Sequence, residues 1–248
     1  MVMLHNTVVD APDLLATKHN LMDTGFKDVP QDRWENGITF NPQGCFNVFA
    51  MEVDCPPELK DEPDQECPDA VTFLPFIVEF GVSYMGHEEE GELESELRAK
   101  TSAAVERAIW SGVTVGTSTN PKLSDGDAPT PTATAPREML AVLEAELYET
   151  GMQGGTIHMS VFDAVMAEGA MDEVNGKLFS KVTGNPVVVG NYPKGSAAIH
   201  GGEIDVYASE EFTFASYEDR QQNRIIYKVE RLVLAVWNPC HVFKIAGA

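Results

Sequence analysis

The stretch Asp54-Cys55-Pro56-Pro57-Glu58-Leu59-Lys60-Asp61-Glu62-Pro63-Asp64 limits the possible folds more than any other. Its prolines remove backbone donors and break regular elements, so it reads as an exposed loop. Alternating apolar runs flank it: Ile38-Thr39-Phe40 and Phe46 to Val53 before, Val71 to Phe80 after. Alternation marks strands with one buried face. Two strands around a long acidic tip make a projecting hairpin over residues 37–86. Pro75, inside the second strand, predicts an edge position or a bulge there. Residues 1–36 have few periodic apolar positions and read as an extended arm. Such an arm cannot bury itself, so if ordered it must lie on something else.

The hydrophobic period then changes. From His87 to Trp110, Leu93, Leu97, Thr101, Ala104, Ala108 and Ile109 recur at helical spacing. Acids crowd the first turns (Glu88, Glu89, Glu90, Glu92), which suits the helix dipole, and Ser111-Gly112 stops the helix. Residues 116–136 form a loop rich in Thr, Pro, Ser and Asp. A second amphipathic helix spans Pro136 to Thr150, with Met139, Leu140, Leu143, Leu147 and Tyr148 on its apolar face. Thr156 to Met159 is a short buried strand, and Ser160 caps a third helix from Val161 to about Ala167. Asn175-Gly176 signals a turn. Strands follow at Pro186 to Val189, Ile204 to Tyr207, Phe212 to Phe214 and Arg224 to Trp237, and Tyr192 to Gly195 turns the chain between the first two. In the last strand Leu232 to Val236 is apolar on both faces, as in a covered sheet. The order of helices and strands argues an α+β fold.

Composition narrows the function. With 39 acids against 17 basic residues, the chain carries a formal charge of −22. Binding nucleic acid through a basic face is therefore not expected, because phosphate contacts need clustered Lys and Arg. The charge suits a surface that lies near packed DNA without adhering to it. No apolar run approaches the roughly 20 residues of a membrane span, and no secretory signal is read at the N-terminus. The expectation is a soluble, intracellular chain. Its four cysteines, Cys45, Cys55, Cys67 and Cys240, are expected as free thiols, and none form a Cys-x-x-Cys pair.

Catalytic signatures are missing. The sequence has no Gly-x-Ser-x-Gly, phosphate-binding loop, His-Glu-x-x-His or dinucleotide fingerprint. Its six histidines (His5, His19, His87, His158, His200, His241) are not at helical metal-ligand spacing. His158 reads as a satisfied core histidine. Cys240-His241 is the most metal-like pair, but adjacent strand residues point to opposite faces. Trp34, Trp110 and Trp237 are assigned to core packing. No residue is given a catalytic, cofactor-binding or metal role, and the chain is not expected to be an enzyme.

Several passages resemble the tailed-phage major capsid family with the Hong Kong 97-type fold. Ala103-Ala104-Val105-Glu106-Arg107-Ala108-Ile109-Trp110-Ser111-Gly112 resembles the end of that family's long spine helix. Asn120-Pro121-Lys122-Leu123 is similar to its Gly/Asn-Pro-x-Leu passage. Pro136 to Tyr148, followed by Gly155 to Ser160, resembles the axial helix and the strand after it. Gly184-Asn185-Pro186-Val187-Val188-Val189 with Tyr192-Pro193-Lys194-Gly195 resembles the Gly-x-Pro-Val strand and its turn, and Arg231 to Phe243 the last peripheral strands. The form is similar to that of actinobacterial phages.

The resemblance implies an arm (1–36), an extended loop (37–86), a spine helix with peripheral domain (87–135), an axial domain (136–200) and C-terminal peripheral strands (201–248). It implies a self-assembling major capsid protein, forming hexamers and pentamers of an icosahedral shell around double-stranded DNA. Copies of itself would be its partners, with scaffolding, portal or decoration proteins, without specific DNA binding and without a membrane. Its location would be the virion, after assembly in the host bacterial cytoplasm. The alternatives are an encapsulin-like shell, another phage head or tail protein, or a Cys/His metal-dependent enzyme.

Overall fold

The computed structural model describes residues 18–28, 34–40, 70–84, 90–115, 118–130, 133–209, 213–219 and 224–245, with backbone alone for 80–84, 90–99, 114–115, 118, 213–219 and 224–229. The acidic tip, residues 41–69, and residues 1–17 lie outside this set.

The long apolar run near the C-terminus organises the first sheet. It forms a single strand, β14 (Arg224–Trp237). Along one side lie β13 (Thr213–Asp219) and then β12 (Ile204–Ala208); along the other lies β4 (Phe76–Tyr84), all antiparallel to it. β1 (Phe26–Lys27) adds a parallel edge to β12. β2 (Ile38–Phe40) and β3 (Val71–Phe73) pair antiparallel at the base of the expected hairpin. The expected continuous strand through Phe80 instead breaks at Leu74-Pro75 and resumes as β4. Pro75 lacks the N–H that a ladder needs, and the Asn120 side chain takes over at the break. Its Oδ1 accepts from Leu74 N and its Nδ2 donates to Leu74 O, both at 2.8 Å.

The spine helix, α2, runs from Glu90 to Ser111. Thr101, Val105 and Ile109 are buried four residues apart, and Ala104 and Ala108 pack beside the core. β5 (Thr114–Val115) and β6 (Ser118–Thr119) make a small hairpin across the start of the expected loop, and Leu123–Asp125 a 3-10 turn within it.

The second sheet has the order β15-β11-β7-β10-β9-β8. Its members are β15 (Phe243–Ile245), β11 (Ala197–Gly201), β7 (Gly155–Ser160), β10 (Pro186–Gly190), β9 (Lys177–Ser180) and β8 (Met171–Val174). β7 and β10 are parallel; the other neighbours are antiparallel. Asn175 and Gly176 both have positive φ, as the tight β8–β9 turn requires. β11 was not legible in the sequence.

This sheet separates two cores. Because strand side chains alternate, Ile157, Met159, Val187, Val189, Ala197 and Ile199 face one way. They pack on Met139, Leu140, Leu143 and Leu147 of α3 (Pro136–Glu149). Val188 and Ala198 face the other way and join Val105, Ile109, Leu234 and Trp237 in the core of the first sheet. Every residue of β7 is buried, in keeping with the short buried strand read at Thr156 to Met159. Tyr148, expected on the apolar face of α3, is 41% exposed; its hydroxyl donates to the Gln153 carbonyl at 3.1 Å instead.

The described part of residues 1–36 lies on its own chain. Asn20 caps α1 (Leu21–Gly25), accepting from Asp23 N at 3.0 Å, and Leu21 is fully buried. Trp34 is buried against Tyr207, with ring centroids 6.2 Å apart.

Candidate assembly surfaces and the junction between the sheets

α4 (Val161–Met166) follows β7 directly. Ser160 caps it as the sequence suggested, its hydroxyl accepting from Asp163 N at 3.1 Å. The buried Asp163 carboxylate takes the Ser160 hydroxyl at 2.5 Å and the Gly195 N–H at 2.8 Å, tying α4 to the 192–195 turn. Only part of this helix is covered. Val161, Phe162, Val165 and Met166 are about half exposed or more, Val165 at 64%. Six residues with four exposed apolar side chains are an unusual surface for an isolated soluble chain. Lys194 sits over the Phe162 ring, 3.9 Å from its centroid. Val182, in the turn between β9 and β10, is 93% exposed, and Ile77 of β4 is 62% exposed.

The junction between the sheets holds two buried polar clusters. The first joins histidines that lie 42 residues apart in sequence. β7 and β11 place His158 and His200 on the same face, stacked with centroids 5.1 Å apart. Tyr192 Oη lies 2.9 Å from His158 Nδ1, and the two Nε2 atoms are 3.0 Å apart. His200 Nδ1 lies 3.1 Å from the Gly201 carbonyl oxygen, which can only accept. That fixes the tautomers: His200 Nδ1–H donates to Gly201, His158 Nε2–H donates to His200 Nε2, and the tyrosine donates to His158 Nδ1. Every polar atom is satisfied with both rings neutral. Burial pushes His158 well below the ordinary histidine range, with the His200 charge adding to the effect, and pushes His200 down to about 4. Burial, and then the Glu106 charge, holds the Tyr192 phenol well above its usual range. Trp110 lies against Tyr192 and Trp237 against His200, so the chain of rings runs from the spine helix to β14.

The second cluster centres on Glu106 of α2. Its carboxylate accepts from Leu21 N at 3.1 Å and from Asn191 N at 2.5 Å. Burial pushes it up to about 7, against these two hydrogen bonds, with Asp23 adding repulsion. β10 ends in glycine for this carboxylate: a Cβ on Gly190 would lie 2.1 Å from it.

Cys240, in the most metal-like pair of the sequence, is disulfide-bonded, which corrects the free-thiol expectation for it. Among the described residues no group of three or more His, Cys, Asp or Glu could hold a metal ion. No described helix is long and apolar enough to cross a membrane. His5, His87, Cys45, Cys55 and Cys67 lie outside the described residues. The three tryptophans are core residues, as expected: Trp34 and Trp237 are buried and Trp110 packs at the core's edge. The His158–His200 pairing and the role of Glu106 were missed by sequence reading; the regular 155–159 alternation was the available signal for the first.

No family model matches the sequence, and no curated protein matches it. Solved structures do. The capsid of an empty GTA particle superposes with a TM-score of 0.58 at 11% identity, over 99% of this chain and 95% of that one. A structure of Gordonia phage Cozz gives 0.52 at 15% identity, over 99% and 92%. This chain has the Hong Kong 97-type capsid fold. The SrpI encapsulin of Synechococcus elongatus matches at 0.51 and 12% identity, over 98% of this chain and 93% of that one, so the fold spans phage shells and encapsulin shells alike.

Proposed function

We propose that the chain is the major capsid protein of a tailed bacteriophage, forming hexamers and pentamers of an icosahedral shell around double-stranded DNA, and that it is not an enzyme. The observation that carries this reading is the half-exposed apolar face of α4, on a chain with the capsid fold. A cyclic ring needs a patch on each subunit that meets a different patch on the next. The axial unit, residues 136–200, would supply it; α2 and the last strands would join rings to one another. Such contacts are modest singly and strong together. The arm and extended loop would clamp neighbouring copies, with residues 1–17 as the clamping part of the arm, because Leu21 and β1 are already built into their own chain. Scaffolding, portal or decoration proteins would be further partners.

The test is to purify the full chain and image it by negative stain. Closed particles or capsomer rings support the reading; a discrete monomer or dimer contradicts it. An encapsulin-like compartment is the second reading, favoured by the SrpI superposition. It predicts particles that enclose a protein cargo when isolated from the native host, where the phage reading predicts DNA.

A further inference from the structure

Glu106 stands where three segments distant in sequence meet: the N-terminal segment at Leu21, the spine helix, and the turn after β10 at Asn191. Both of its hydrogen bonds span 85 residues. The residue is 2% exposed and its carboxylate has no ion pair among the described residues. The guanidinium of the next residue, Arg107, is occupied: with its amide oxygen facing the guanidinium, Asn191 accepts from Arg107 Nε and Nη2 at 2.7 Å. A groove of about 360 Å3, lined by Ala103, Glu106, Gly190, Tyr192 and Lys194 among others, opens beside the carboxylate and gives protons and water a route to it.

We propose that Glu106 is a proton-operated latch that fastens residues 18–28 to the junction between the two sheets, closed when its carboxyl is neutral and loosened when it is ionised. A charge in this position has two N–H donors and, among the described residues, no ion-paired cation, and burial at the junction disfavours it. Neutral, the carboxyl carries no buried charge: its carbonyl oxygen still accepts one of the two N–H groups, the hydroxyl oxygen meets the other more weakly, and its O–H can point to the groove. The other groups facing it sharpen the effect or leave it alone. Asp23 of α1 adds negative charge and favours the proton. The Tyr192 phenol stays neutral through this range. Lys194 lies along the groove, its ammonium over the Phe162 ring. His19, at the start of the segment, lies 3.9 Å from Glu173 and not in the Glu106 cluster. The latch concerns the single chain and holds whether or not copies assemble.

Sign and size follow from linkage. The group holds its proton more tightly in the closed chain, at about 7, than a solvated glutamate does, at 4.5, and opening moves it towards the solvated value. Closure is therefore undiminished below about pH 4.5, weakens by up to tenfold per pH unit to about 7, and is constant above that, a total of at most roughly 300-fold.

Hydrogen exchange at the Leu21 to Thr24 amides of the full chain, corrected for the intrinsic pH dependence of exchange, reads this directly. The opening constant should rise between pH 4.5 and 7.5, by up to roughly 300-fold, and in Glu106→Gln it should be flat. Equal pH profiles in the two proteins, with His19 or another group responsible, would overturn the latch. Should the variant fold poorly, the carboxyl carbon of Glu106 in the unaltered chain gives a second reading. NMR titration near 7 supports the proposal; titration in the ordinary carboxylate range ends it.

Discussion

The stacked imidazoles of His158 and His200 set how the molecule meets acid. A proton added at His200 Nε2 would bring two N–H groups face to face, and one added at His158 Nδ1 would displace the donation from the Tyr192 hydroxyl, both at a buried site. Both rings take up protons less readily folded than unfolded, so the stability they permit is complete above about pH 6.5 and is lost as pH falls towards 4. For His200 alone the difference is worth about 3 kcal/mol. Glu106 acts in the opposite direction over nearly the same range, so the unaltered chain's stability curve understates both groups. A difference measurement separates them. In denaturant unfolding, the native chain should lose about 3 kcal/mol relative to His200→Gln between pH 6.5 and 4; a gap independent of pH would mean that the pair does not titrate as described. Gly190 is the other telling residue. Alanine there would force its methyl into the Glu106 carboxylate, at a cost of about 1–3 kcal/mol measured as a fall in unfolding free energy.

At the scale of elements, the sequence carried what depends on local period and lost what depends on distant contacts. α2, α3, α4, β10, β12 and β14 were legible because their apolar residues repeat at 3.6 or 2, or form a continuous run, with Pro136, Ser160 and Gly112 marking ends. β11 was not, because Ala-Ala-Ile-His-Gly has little strand propensity; it exists because β7 and β15 pair with it on both sides. The buried histidine pair needed that pairing to be visible, and Glu106 read as an ordinary polar position on a helix. The break between β3 and β4 shows the same division: Pro75 announced it, but its repair by Asn120, 46 residues away, did not show. Asn120→Ala should leave Leu74 N and O without their partner and lower stability by about 1–3 kcal/mol, read from the urea midpoint. α4 makes the contrasting prediction. Val165→Asp with Met166→Asp changes side chains already in contact with solvent, so monomer stability should shift by no more than about 0.5 kcal/mol. Particle formation, followed by light scattering, should nevertheless be lost.

For the whole molecule, the apolar faces that remain open are the argument for assembly. α3 and the second sheet bury their own core, and so does the first sheet with the spine helix. Among the described residues, the large apolar side chains that stay exposed include those of α4, Ile77, Val174 and Val182, on a chain of charge −22. Like-charged copies repel over a distance set by ionic strength, about 30 Å at 0.01 M and 8 Å at physiological salt. Association should therefore be weak in dilute buffer and favoured as salt rises. The most direct test of the account is cryo-electron microscopy of the particles formed by the purified full chain at physiological salt. The account predicts rings of five and six subunits in which Phe162 and Val165 of α4 are covered by the neighbouring copy. Particles in which α4 faces open solvent, or a chain that stays monomeric at every salt concentration, would contradict it.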